Sequence, residues 1–188
     1  MIYVLYVHAL ISFMPQAESS ATLSLMIHTI YGISCAQHPI PFQTIISTVQ
    51  SFPSYGLAPN KFISPSLPLY DSILWHAPLF PLDVYSLAAS FDLYDLASAV
   101  SSHLLSFELS GLTDEHATQI GPIYLKRLFF LHIQRQVALK NLLLPPPEPH
   151  PESDSCKFAD QRSMSRAWTL VAASLTWDAR AGELILEG

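Results

Sequence analysis

The stretch from Pro81 to Phe107, PLDVYSLAASFDLYDLASAVSSHLLSF, decides how the chain is read. Val84, Leu87, Ala88 and Phe91 fall at i, i+3, i+4 and i+7, the spacing that lines one face of a helix. Leu93, Leu96, Ala97, Val100 and Leu104 make a second stripe, out of phase with the first. The phase jump places a break near Asp92. An aspartate at such a break can accept from the free backbone N–H groups of the next turn, and Asp95 puts negative charge where the helix dipole is positive. Two packed helices joined by a very short turn are expected.

Working outward, fifteen prolines against six glycines imply short helices with stiff joints. Upstream, AESSATLSLMIHTIYG offers Glu18, Ser19 and Ser20 as capping material, places Leu23, Met26, Ile27 and Ile30 on one face and stops at Gly32. HPIPFQTIISTVQSFPSYG reads as a second helix with Phe42, Ile45, Ile46 and Val49 on its stripe, closed by Pro53 and Gly56. LAPNKFISPS is loop by composition, and SLPLYDSILWHA is a weaker helix on Leu67, Tyr70 and Leu74. Downstream, Thr113 caps a helix whose first turn carries Asp114 and Glu115. Gly121-Pro122 interrupts it, and Leu125, Leu128, Phe129 and Leu131 give the restarted helix its apolar side. PPPEPHPESDS is a polyproline-type spacer. Beyond it Met164, Ala167, Trp168, Val171 and Leu175 trace a last amphipathic helix, expected to pack back on the body because a lone helix of that length is marginal.

Half the residues are hydrophobic and 13% are charged, enough apolar material for a sizeable core. A net charge of -6, with nine dispersed basic residues that form no stripe, argues against nucleic acid. Cys35 and Cys156 lie far apart, so a reducing compartment, cytoplasmic or nuclear, is expected. The opening MIYVLYVHALISF is apolar over about 13 residues, shorter than the ~20 a spanning helix needs. It lacks a basic region and a cleavage site, and its β-branched and aromatic residues lean towards a buried strand.

No H-E-x-x-H, C-x-x-C, EF-hand loop or glycine-rich phosphate loop occurs, and no catalytic, cofactor-binding or metal-binding residue is assigned. His150 and Cys156 are two soft ligands without a third. Asp114, Glu115 and His116 point in different directions on a helix and read as an ordinary charged first turn. Gly32–Ala36, GISCA, imitates a nucleophile elbow but follows a helix and lacks the second glycine. His103 and His132 lie on apolar helices and read as partly buried, hydrogen-bonded residues. Phe129, Phe130, Trp168 and Trp177 read as core first and as interface anchors second.

The order of SATLSLMIHTIYG, a helix closing on SYGL, and APLFPLDVYSLAASFDLYDLASAVSSHLLS resembles the second half of BTB/POZ domains, most of all those common in mushroom-forming fungi. IGPIYLKRLFFLH, the proline spacer, CKF and RAWTLVAASLTWDAR resemble the tail of the same proteins, so the likeness runs from about Glu18 to Arg180. It implies a partial BTB/POZ-like region over 18–80, a helical extension over 81–144, the spacer over 145–156 and a terminal helix over 157–180, with 1–17 an apolar segment. It also implies an adaptor or scaffold, with ubiquitin-ligase assembly as one setting. The usual BTB N-terminal strands and helix have no counterpart in residues 1–17, so dimerisation through that surface is not expected. Neither is cullin binding, since no bulky apolar residue stands two before a glutamate in the loop after Gly32.

The expectation is a mainly α, non-enzymatic protein–protein interaction module, with a protein partner, no nucleic acid, no membrane and no cofactor. Three alternatives differ in kind. A small hydrolase or metal enzyme would gather three or more of His28, His38, His76, His103, His116, His132 and Cys156. A membrane-anchored protein would use Met1 to Met14. A shortened, non-functional BTB product would protect residues 18–56 poorly against hydrogen exchange compared with 80–140.

Overall fold

A computed structural model describes residues 19–34 and 40–178. The possible strand in residues 1–17, the anchor Met1–Met14, Cys35 and Ala36 of the GISCA motif, His38 and Arg180 lie outside the described residues. The protein is mainly α. Among the described residues there is no strand, only an isolated bridge between Ser153 and Cys156.

Helix α1, Ser20–Ile30, starts where Ser19 Oγ accepts from the Thr22 amide at 3.1 Å. It ends on Gly32, whose φ of 66° lets the Ile33 amide turn back to the His28 carbonyl at 2.8 Å. Its buried face is Thr22, Leu25 and Met26. That lies roughly a quarter turn from the Leu23–Ile30 stripe, and Ile27 and Ile30 are exposed. Thr22 can face inward because Ser19 Oγ lies 2.9 Å from its hydroxyl. Helix α2, Phe42–Ser51, buries Ile45, Thr48 and Val49 and tightens into a 3-10 turn, Phe52–Tyr55, before Gly56. Phe42 stacks on His76 and Phe80 at 5.2 and 5.1 Å, which ties the start of α2 to the chain between the next two helices.

Helix α3, Pro68–Leu74, begins on a proline in its first turn and buries Leu69, Tyr70 and Ile73, so only Tyr70 of the expected Leu67, Tyr70 and Leu74 stripe is fully buried. The preceding loop is not wholly irregular: Pro59–Lys61 forms a 3-10 turn and Ile63 is buried. Helix α4, Pro81–Ser90, lies at the centre. Beyond the expected Val84, Leu87 and Ala88 it also buries Leu82, Tyr85 and Ser86. A helix buried on most of its circumference sits between other helices rather than on a surface.

Helix α5, Tyr94–Val100, follows a break at Phe91–Leu93 and runs into a 3-10 segment, Ser101–Ser106. Leu93, Leu96, Ala97, Val100 and Leu104 are all buried, as the second stripe requires. Asp92 takes a φ of 52° at the break. Its carboxylate does not cap α5 as expected; it accepts the Tyr124 hydroxyl at 2.7 Å, a long-range anchor in place of a local one.

Helix α6, Asp114–Leu143, is capped by Thr113, whose hydroxyl accepts from the His116 amide at 3.2 Å. Gly121, at φ 70° and ψ 167°, breaks it in two, and Pro122 opens the second part. The Ser90 hydroxyl reaches the Gln119 carbonyl beside this break at 3.3 Å. The buried line is Ile120, Tyr124, Leu128 and His132; Leu125 and Leu131 are half-buried, and Phe129 is exposed. Tyr85 donates to the Tyr124 carbonyl at 2.9 Å and meets its ring edge-on, so α4 and α6 are joined by polar and aromatic contact together. One apolar core runs from Leu25 through to Leu128.

Helix α7, Phe158–Asp178, begins where Glu152 accepts from the Phe158 amide at 2.8 Å and Asp160 from the Lys157 amide at 2.9 Å. Gln161 and the His150 backbone exchange two hydrogen bonds, which fastens the proline spacer to this helix. The expected stripe is not the packing seam: Met164, Val171 and Leu175 are exposed, while Gln161 and Ala172 are buried. The Trp168 indole N–H donates to the Leu143 and Pro145 carbonyls at 2.9 and 3.1 Å. The helix therefore docks through carbonyls left open at the end of α6 and through small residues.

Candidate functional site

The surface with the most chemical character lies on the second part of α6. The chain from His116 to Pro147 includes no aspartate or glutamate, yet holds Lys126, Arg127, Arg135 and Lys140, four of the nine basic residues of a protein with net charge -6. The basic residues are thus less dispersed than expected. Directly opposite the buried line, Ile123, Phe130, Val137 and Leu144 recur at seven-residue spacing, and Lys126, Ile133 and Lys140 sit between them. Each is exposed; Ile123 keeps 65% of its surface in water and Phe130 50%. This helix is amphipathic on its inner side and carries a second apolar seam, with cations in it, on its outer side.

Arg127 is held at the edge of that seam. Its guanidinium lies 4.6 Å from the Tyr124 ring and 5.0 Å from the Tyr94 ring, at the mouth of a groove of about 260 Å³ between α5 and α6. Ala97, Ser98, Ser101 and Gln134 contribute to its walls. Aromatic rings beside the guanidinium hold its plane and leave in-plane N–H groups for an acceptor. Among the described residues no carboxylate pairs directly with Arg127; the Asp92 carboxylate is engaged by the Tyr124 hydroxyl instead. Lys126 lies over the Phe130 ring at 5.6 Å. Burial first, and then the hydrogen bond to Asp92, raise the Tyr124 hydroxyl above its ordinary pKa, while Arg127 pulls the other way. Burial pushes Tyr85 up to about 12.

The residues considered for catalysis stay apart. Among the described residues no three His, Cys, Asp or Glu side chains gather as a metal would require. His150 Nδ1 lies against the Pro151 carbonyl at 2.7 Å, and Cys156 is a free thiol. His116 Nδ1 lies 2.9 Å from the hydroxyl of the capping Thr113 and its Nε2 3.3 Å from Asp83, which makes Asp114–His116 a structured first turn. His103 is exposed rather than partly buried. His132 is buried, but its Nε2 has no hydrogen-bond partner, and burial followed by the charge of Arg135 lowers its pKa. Phe129, Phe130, Trp168 and Trp177 are all exposed, which corrects their reading as core.

A second concavity of about 330 Å³ lies between the end of α1 and the start of α3, lined by Leu25, Ile30, Tyr31, Phe62 and Leu67 among others. Exposed Ile33 is also part of its lining. No described helix is long and apolar enough to cross a membrane. Comparison with family models, curated proteins and solved structures returned no match. Sequence reasoning missed Lys126, Arg127, Ile133, Val137 and Lys140 as a unit. The signal was present in the acid-free run from His116 to Pro147 and in the seven-residue recurrence within it.

Proposed function

We propose that this chain is a non-enzymatic protein–protein interaction module, an adaptor of BTB/POZ-like type. The observation that carries this reading is the outer seam of α6, where apolar side chains that could have packed inward are held in water along a rigid helix. Contiguous exposed apolar surface of this kind marks interaction sites. The likeness of Glu18–Arg180 to BTB/POZ proteins supports the same role. A photo-crosslinking residue placed at Ile133, with Ser110 as an equally exposed control, tests it. In cells the Ile133 position should give one discrete protein adduct and Ser110 none. Equal labelling from both positions, or none from either, would overturn the assignment.

A further inference from the structure

The partner's chemistry follows from the same seam and rests on the adaptor reading. We infer that the outward face of α6 docks an acidic amphipathic helix of another protein. Its apolar side chains would lie along Ile123, Phe130, Val137 and Leu144, and its carboxylates would meet Lys126, Arg127 and Lys140.

Three observations select this occupant. The seam keeps a seven-residue period from Ile123 to Leu144, which is the signature of a helix laid along a helix. Its length is about 30 Å at 1.5 Å per residue, so it takes a partner of roughly twenty residues. The side chains along it carry charge of one sign only, Lys126, Arg127 and Lys140, and Arg127 lies over the Tyr94 and Tyr124 rings without a direct ion pair. Such a guanidinium is prepared for a bidentate carboxylate.

The same facts disfavour other occupants. Two copies pairing through this face would set lysine against lysine with no acid on either side. A membrane-surface helix carries its cations on the polar face, whereas Lys126 and Lys140 stand in line with Ile133, inside the seam.

The test uses fluorescein-labelled 21-residue peptides with leucine at two positions of each heptad and glutamate at the flanking ones, and a counterpart with lysine for every glutamate. Anisotropy on the full chain should show the glutamate peptide binding at least about tenfold more tightly than the lysine peptide. Lys126→Glu, Arg127→Glu and Lys140→Glu together should reverse that order, with helicity unchanged by circular dichroism. Lys140→Glu alone should move the ratio in the same direction, and Ile133→Ser should weaken both peptides. Equal affinity for the two peptides, binding of neither, or a preference untouched by charge reversal overturns the inference. So does binding to phosphatidylserine vesicles in place of the peptide. A discrete adduct at Ile133 combined with any of these failures would leave the adaptor role standing and remove only the acidic helix.

Discussion

The turn between α4 and α5 can be taken apart by three substitutions. Asp92 holds a φ of 52°, a conformation that costs a non-glycine residue about 1 kcal/mol or more. It also accepts the Tyr124 hydroxyl at 2.7 Å. Asp92→Ala loses the hydrogen bond and keeps the unfavourable backbone; Asp92→Gly loses the bond and relieves it. Both variants lack the carboxylate, so their difference isolates the backbone term, and glycine should be more stable than alanine by about 1 kcal/mol. Tyr124→Phe removes the hydroxyl that donates to Asp92 and that Arg127 also reaches, while the ring beside Arg127 stays. Hydrogen bonds to charged groups contribute about 1.5–3 kcal/mol, and the exposed Asp92 carboxylate places this one near the bottom of that range. In the Asp92→Gly background Tyr124→Phe should cost less, since only the approach of Arg127 to the hydroxyl is left to lose. Urea unfolding of the five chains, the parent, the three single variants and the Asp92→Gly/Tyr124→Phe double variant, with slopes constant between them, gives each difference directly. Equal stability of the alanine and glycine variants would refute the left-handed turn. An equal cost of Tyr124→Phe in both backgrounds would refute the hydrogen bond.

Two further outcomes follow from α6. Gly121→Ala should destabilise by about 1–3 kcal/mol from backbone conformation alone, since a Cβ there meets nothing within 4 Å; Gly111→Ala, at ordinary φ, should stay within about 0.5. Chemical denaturation of the two variants separates these values. His132 has its pKa lowered by burial, so the folded state resists the proton that the unfolded state takes up near pH 6.5. Stability should therefore fall as pH drops below about 6.5 towards the depressed value, and His132→Leu should flatten that part of the profile in urea midpoints measured between pH 7.5 and 5.

Much of the fold is legible in the sequence because its signals are local. Ser19 and Thr113 as caps, Gly32, Gly56 and Gly121 as punctuation, and the phase jump at Asp92 all depend on neighbours within a few residues. The buried faces were harder. Thr22 turns inward on α1 because Ser19 lies within hydrogen-bonding reach of its hydroxyl, and Ala172 rather than Val171 is buried on α7, one turn from Trp168, whose indole is fixed to the end of α6. Periodicity ranks faces by apolar content, whereas a docked helix turns towards whichever neighbour offers a partner. Asp92 misled for a related reason: its acceptor serves a residue 32 positions away, which no local pattern reveals. The seam on α6 went unread because exposed Ile123, Phe130 and Val137 look like core to any count that ignores which side is already occupied.

The seating of α7 bears on how the chain would behave when pulled or cut. Met164, Leu170, Val171 and Trp177 already face water, so lifting this helix away strips few greasy atoms of their neighbours. What resists is one indole latched onto two carbonyls and a glutamine clasped to the spacer. A tether of that kind opens before the bundle melts, and it uncovers the far end of the long helix while leaving its foundation untouched.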